Sequence, residues 1–166
     1  MKTTKRLFLL LVCAALTLGV TGCSDAEDGE STSTWFVRNM LGGGWTLGGV
    51  KVDGTYEWGT TFHMEMNLHA DGRKFEAHRF FYMPYTTEDG RESTKKDDAT
   101  DVVKRGTFEI KDNNKTIVAT DTETGEVFFK LELTDEVSST LTGTITFYDI
   151  NETYEVYFNR AAGIKI

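Results

Sequence analysis

The sequence predicts an all-β domain that closes into an eight-stranded antiparallel up-and-down barrel. Three observations support this fold class: the 166 residues include a single proline, apolar and polar residues alternate along several segments, and short turns connect these segments. One apolar and one polar face per strand is typical of an antiparallel sheet around a core. A sheet that no helix covers most simply closes on itself. A two-sheet sandwich is the alternative.

Eight strands are predicted, at residues 45–52, 58–69, 73–83, 102–111, 115–121, 126–133, 140–149 and 153–160. The alternation places Phe62 and Met64 inward in the second strand, and Phe129 inward with Phe128 outward in the sixth. Residues 35–41 are predicted to form one helical turn before the sheet.

Two hairpin turns are predicted where residues that tolerate positive φ occur together. These are Asp71-Gly72 and Asn113-Asn114. The second turn places Ile110 opposite Ile117, so that the inward faces of both strands agree.

The first 34 residues have a different character from the rest. Lys2, Lys5 and Arg6 precede an apolar run that closes on residues 20–23, Val-Thr-Gly-Cys. A basic start, an apolar stretch too short to span a bilayer and small residues at its end indicate a secretory signal peptide.

The same tetrapeptide resembles the lipobox of bacterial lipoproteins. The resemblance implies cleavage before Cys23 and a lipid on its sulfur, with an ordinary cleaved signal or a signal anchor as the alternatives. The resulting domains are a signal peptide at 1–22, a lipidated cysteine with an acidic tether at 23–34, and a barrel domain at 35–166. We expect the protein in the cell envelope, lipid-anchored to the outer membrane in its periplasmic or surface leaflet.

The charge of the chain excludes two classes of partner. The net charge is −8, and it becomes −11 after cleavage because the leader holds three basic residues and no acidic ones. Nucleic acids and anionic lipids both require basic surfaces. Attachment to the membrane is therefore expected through the lipid on Cys23 alone, and no disulfide is possible because the mature chain holds no second cysteine.

Two segments at the ends of the predicted barrel resemble the lipocalin signature. They are Gly43-Gly44-Trp45 before the first strand and Phe158-Asn159-Arg160 in the last. Segments 68–72, 106–110 and 141–144 resemble the small lipocalin-like domains of bacterial lipoproteins. The resemblance implies that Gly43 and Trp45 open the first strand at a closed end, and that Arg160 packs across the indole ring.

The position of Trp45 assigns the turns to the two ends of the barrel. Turns 70–72, 112–115 and 134–139 are expected at the closed end, and segments 53–57, 84–101, 122–125 and 150–152 at an open mouth. The polar segment 84–101 is expected to be a disordered loop, with a lid over the mouth as the alternative.

Arg79 is the most unusual candidate for a binding residue. The alternation points it inward, on the same face as Phe81, which is a further candidate for ligand binding, and a buried guanidinium needs a partner. A ligand carboxylate or sulfate is one candidate partner. A core ion pair, or a bulge that turns the side chain outward, is the alternative. Further candidates are the aromatic residues expected near the mouth: Tyr56, Trp58, Tyr85, Tyr148 and Tyr154.

Other chemistry has little support in the sequence. His63, Glu65 and His78 are expected on one outer face, where they form either a zinc site or an ordinary polar pair across strands. All serines of the mature chain lie in the tether or in loops, so we expect neither an enzyme nor a bound cofactor.

The sequence therefore supports two functional hypotheses. The first is a lipocalin-like protein that binds a small apolar or amphipathic ligand in the barrel. The alternative is a filled barrel that acts through its loops as an interaction module or a protease inhibitor. The volume inside the barrel separates them.

Overall fold

The computed structural model describes residues 31–166. The predicted signal peptide at 1–22, the lipidation of Cys23 and the tether as far as residue 30 lie outside the described residues. Within 31–166, no helix has the length and apolar character needed to cross a membrane.

Two short helical segments precede the sheet, helix α1 (Thr32–Phe36) and a π-helical turn (Val37–Leu41). The strands are β1 (Gly43–Val52), β2 (Thr55–Glu57), β3 (Phe62–His69), β4 (Lys74–Thr86), β5 (Glu92–Lys111), β6 (Thr116–Asp121), β7 (Val127–Leu133), β8 (Thr140–Phe147) and β9 (Glu152–Ala161). A 3-10 turn (Asp71–Arg73) joins β3 to β4. Helix α1 begins within the segment that the sequence assigns to the tether.

The strands form a closed antiparallel barrel. Neighbours in the sheet follow the order β1-β3-β4-β5-β6-β7-β8-β9, and β9 pairs with β1 to close it. Strand β2 is an addition that pairs with the far end of β1, where Lys51 lies opposite Tyr56. The eight-stranded up-and-down barrel is thereby confirmed, and the sandwich alternative is wrong.

The predicted turns and their register are confirmed. Ile110 lies opposite Ile117, and Asn113 and Asn114 have φ of 53° and 67°. Gly72 has φ of 69°. Asparagine and glycine tolerate this left-handed region best, which is why these turns can be recognised in the sequence.

Side chains fill the interior of the barrel. Seven large aromatic side chains are fully buried: Trp45, Phe62, Phe75, Phe108, Phe129, Phe147 and Phe158. Ring centroids lie 5.3 Å apart for Phe62 and Phe147, and 5.8 Å apart for Phe75 and Phe129. The interior of an eight-stranded barrel is narrow enough for side chains to fill it, and these rings do so.

The prediction of a disordered loop at 84–101 is wrong, and the alternative of a lid over the mouth stays a prediction. Strands β4 and β5 continue beyond the barrel wall as a two-stranded ribbon, in which Met83 pairs with Lys95 and Tyr85 with Ser93. We call residues 82–97 the ribbon. Both of its faces are largely exposed, so no alternation of apolar residues marks it in the sequence, although the register of paired residues runs without interruption from Tyr82 to Thr86.

The outward position expected for Phe128 is also wrong, because this side chain is buried. The register between β6 and β7 shifts from Ala119 opposite Phe129 to Thr120 opposite Val127. Phe128 is therefore the extra residue of a β-bulge, and a bulge interrupts the alternation of faces.

The up-and-down order assigns the turns to two ends, as expected. Helix α1 and the turns 70–73, 112–115 and 134–139 lie at the closed end, where Trp35 and Phe36 line one groove with the latter two turns. The segments 53–61, 87–91, 122–126 and 148–152 lie at the opposite end. We call these four segments the open rim.

Candidate functional site

The indole ring of Trp45 closes one end of the barrel. Its Nε1–H donates a hydrogen bond to the carbonyl oxygen of Leu41 at 2.8 Å. The guanidinium carbon of Arg160 lies 4.4 Å from the ring centroid, and Nη1 donates to the carbonyl of Gly42 at 2.8 Å. Gly43 has φ of 120°, and a Cβ there would lie 3.1 Å from Arg160 Nη1. The packing expected of these signature residues is confirmed.

A second arginine closes the open end. Arg79 is 2% exposed, and its two terminal nitrogens donate to the carboxylate of Asp149 at 2.9 and 2.7 Å. Its guanidinium carbon lies 5.2, 5.1 and 4.5 Å from the ring centroids of Phe81, Phe128 and Phe147. We call these five residues the arginine seal. The inward position of Arg79 is confirmed, and its partner is a carboxylate of the protein itself.

Tyr154 adds a ring below the seal. Its ring centroid lies 5.0 Å from that of Phe62 and 6.3 Å from those of Phe81 and Phe147. Its hydroxyl donates to Glu152. Burial and this contact with a carboxylate raise the pKa of Tyr154, so the phenol is neutral at physiological pH.

A second ion pair lies near the seal and was missed in the sequence. Lys104 Nζ lies 2.7 Å from Asp121 Oδ2, and the backbone N–H of Glu123 also donates to this carboxylate. The hydrogen bond from Lys104 lowers the pKa of Asp121, and the same bond raises the pKa of Lys104. The alternation of the sequence could have predicted this position, because Lys104 occurs two residues after Val102 and so shares its inward face on β5.

The other aromatic candidates are not brought together. Tyr56 packs edge-on against Tyr157 on the outer wall, with ring centroids 5.0 Å apart. Trp58 lies in the turn after β2 and is 69% exposed, Tyr85 lies on the ribbon, and Tyr148 is 51% exposed. Of the seven candidate ligand residues, Arg79, Phe81 and Tyr154 come together, because the ring of Phe81 packs against both of the others.

A groove of about 800 Å³ lies on the surface beside the seal. Phe128, Tyr148 and Asp149 line it on the side of the open end, and Val118 and Lys130 line it along the outer wall. None of the seven fully buried rings contributes to this groove. At the open end the groove also reaches the Lys104–Asp121 ion pair, and it could hold a small amphipathic molecule beside the filled core.

The proposed zinc ligands form separate polar pairs. His63 Nε2 lies 3.5 Å from Glu65 Oε1, and His78 Nε2 lies 2.6 Å from Asp101 Oδ1. Glu65 and His78 are opposite one another in register, as expected, and the ring of Phe80 packs against both histidines. In residues 31–166, no three His, Cys, Asp or Glu side chains come together as metal ligands would.

No protein-family model, curated protein or solved structure matches this chain. The resemblance to lipoproteins and lipocalins therefore depends on the residues quoted for it. Of these, Gly43, Trp45 and Arg160 lie in the described barrel and pack against one another.

Proposed function

We propose that this chain is a lipid-anchored envelope protein whose filled barrel acts as an interaction module and binds a partner through its open rim. The arginine seal is the observation that carries this proposal. A ligand that entered the barrel from this end would have to separate Arg79 from Asp149. That separation would leave a buried guanidinium without a counterion, which is strongly unfavourable.

The distribution of exposed apolar side chains supports the open end as the binding surface. Among the described residues, eight large hydrophobic side chains are exposed, and six of them belong to the open rim or the ribbon: Tyr56, Trp58, Met83, Tyr85, Tyr148 and Ile150. Aromatic residues and methionine are enriched at protein interfaces. These side chains do not form one contiguous patch, but their presence at one end of the barrel favours that end as the surface that a partner covers.

The path of the chain is compatible with an anchor at the other end. Helix α1 joins the barrel at the closed end, where Trp35 and Phe36 lie beside the turn at 112–115. The open rim is thus remote from the junction with the N-terminal segment, which the proposal requires to carry the lipid on Cys23.

Binding of a small amphipathic ligand is the second candidate, and the groove beside the seal is the observation that favours it. The mixed lining of Tyr148, Phe128 and Lys130 suits a molecule with one apolar and one polar side. Such a ligand would lie outside the filled core, and not within the barrel as the sequence suggested.

Native mass spectrometry of the full chain, purified in detergent from its own membrane, separates these functions. The interaction module predicts the mass of the processed polypeptide without a bound small molecule. A stoichiometric small molecule that persists in a Tyr148→Ala variant would place a ligand in the interior and contradict the proposal. One that disappears in this variant would locate the ligand in the groove and favour the second candidate.

Photocrosslinking in the intact envelope then tests the binding surface. A benzophenone amino acid at Trp58 should give a discrete crosslinked product. The same probe at Trp35, which is 52% exposed at the closed end, is the matched control and should not give it. Equal crosslinking at both positions would show that the open rim is not the binding surface.

A further inference from the structure

We infer that the open rim binds a cationic segment, a stretch of a partner protein rich in lysine and arginine. This inference rests on the proposed function and names the chemistry of the partner. It is carried by the charge of the rim together with the aromatic rings that the rim exposes.

The two ends of the barrel differ in charge. The open rim contains eight carboxylates and one cation: Asp53, Glu57, Glu88, Asp89, Glu123, Glu126, Asp149, Glu152 and Arg91. The turns of the closed end contain four carboxylates and two cations: Asp71, Asp112, Asp135, Glu136, Arg73 and Lys115. The acidic character of the chain is thus concentrated at the end that also exposes its aromatic side chains.

Most of the rim carboxylates are available to a partner. Asp149 is paired with Arg79, and Asp89 with Arg91. The other six form no ion pair with any described residue. Seven more negative than positive side chains at one end of the barrel create a negative potential there, and a bound cation reduces it.

The exposed rings offer a second contact for the same cations. Lysine and arginine bind the faces of tryptophan and tyrosine, and the ribbon already shows this arrangement. Lys95 Nζ lies 5.7 Å from the ring centroid of Tyr85, and Lys96 Nζ lies 5.1 Å from that of Phe80. The side chain of Trp58 follows Glu57 directly and leaves most of its ring exposed. The same stretch of the rim therefore offers a carboxylate and an exposed ring to a cationic segment.

Charge disfavours a second copy of the chain, nucleic acids and anionic lipids at this surface, and salt dependence distinguishes a neutral ligand. A second copy of the chain would bring an identical acidic rim, and two such rims repel. Nucleic acids and anionic lipids carry the same sign of charge as the rim. A neutral sugar would use the rings but would bind independently of salt, whereas ion pairs at an exposed surface weaken as salt increases.

Fluorescence anisotropy with the full chain in detergent tests the inference. The probe is a labelled ten-residue peptide of alternating arginine and serine, and a peptide with glutamate in place of arginine is its counterpart. We expect the cationic peptide to bind, with affinity that falls at least tenfold between about 50 and 500 mM salt because the Debye length shortens severalfold. We expect no binding of the acidic peptide.

Two triple variants that each remove three negative charges distinguish an effect of the rim carboxylates from an effect of the net charge of the protein. Neutralising Glu57, Glu123 and Glu126 to glutamine should weaken binding about tenfold, the combined effect of three exposed ion pairs. The matched control neutralises three exposed acids of the closed end, Asp71→Asn, Asp135→Asn and Glu136→Gln, and should leave affinity within about twofold.

The tryptophans give an uncharged version of the same comparison. Trp58→Ala should weaken peptide binding about threefold, the size of one exposed cation–ring contact, and Trp35→Ala should not. Equal losses in the two triple variants, equal binding of the acidic peptide or insensitivity to salt would each overturn the inference. If the cationic peptide does not bind while crosslinking at position 58 persists, the partner is not cationic, but the proposed function as an interaction module is retained. If that crosslink is absent, the proposed function itself is wrong.

Discussion

Substitution of Arg79 and substitution of Asp149, the two ion-pair partners in the arginine seal, should reduce stability by different amounts. The side chain of Arg79 is 3% exposed and that of Asp149 is 36% exposed. Asp149→Ala leaves a buried guanidinium among three rings without a counterion. Arg79→Met leaves a carboxylate that water can reach and replaces the guanidinium by an apolar chain of similar length. The aspartate substitution should therefore be the more damaging of the two.

The exposure of Asp149 sets the size of the effect. Breaking a fully buried ion pair costs about 3–5 kcal/mol. Because more than a third of this carboxylate is in contact with water, we reduce the expected loss for Asp149→Ala to about 2–3 kcal/mol. For Arg79→Met we expect a loss of about 0–1.5 kcal/mol. With a urea m-value of about 2 kcal/mol/M, the midpoints should fall by about 1–1.5 M and by less than about 0.8 M.

Urea unfolding followed by tryptophan fluorescence measures both variants, and two further proteins complete the experiment. The double variant, with both Arg79→Met and Asp149→Ala, should be about as stable as Arg79→Met alone. Once the guanidinium is absent, removing the carboxylate leaves no buried charge without a counterion. Asp89→Ala, which removes an exposed ion pair with Arg91 at the same end, should change stability by less than about 0.5 kcal/mol. If Arg79→Met is destabilised as much as Asp149→Ala, the account of the seal is refuted.

Three further substitutions test other parts of the barrel. Lys104 lowers the pKa of Asp121 below its ordinary 3.8, so the stability that Asp121 contributes is present above about pH 4 and lost as pH falls through the lowered pKa. Urea midpoints of Asp121→Asn should accordingly decline less between pH 6 and 3. Gly106→Ala should cost about 1–3 kcal/mol, because its Cβ would lie 1.8 Å from the carbonyl oxygen of Thr120. Arg160→Met should cost about 1–2 kcal/mol in the same unfolding assay and alter near-ultraviolet dichroism, since it removes hydrogen bonds and the contact with the indole.

The barrel could be predicted because its walls follow simple alternation and its turns carry conformational signals. Asn113 and Asn114 mark a turn by their tolerance of positive φ, and that turn fixes Ile110 opposite Ile117. Once one hairpin has its register, its inward face is determined, because a shift by one residue would turn every apolar side chain to solvent.

The ribbon and the bulge could not be found in the same way. The ribbon extends beyond the core, so no buried face requires its residues to alternate between apolar and polar. Its pairing depends on backbone hydrogen bonds, which form whatever the side chain, although Pro84 has no N–H to donate. The burial of Phe128 depends on one extra residue in β7, and nothing in the pattern 127–133 marks where that residue falls. The position of Tyr56 was missed for a related reason. It belongs to β2, a short strand that the sequence pattern does not separate from its neighbours, and there its side chain lies away from the other candidate residues.

The partner of Arg79 was predictable in kind but not in identity. A buried guanidinium needs an anion, and the chain itself could supply one only from a segment at the same end of the barrel. The outer half of β4 and the turn after β8 both lie at the open end, so topology brings Asp149 within reach although 70 residues separate it from Arg79 in the chain. An inward arginine in an up-and-down barrel thus points to a ligand only after the carboxylates of the turns at its own end have been considered. Here the turn residue Asp149 supplies the anion, and the exposed rim carboxylates without an ion pair are those to which we assign the partner.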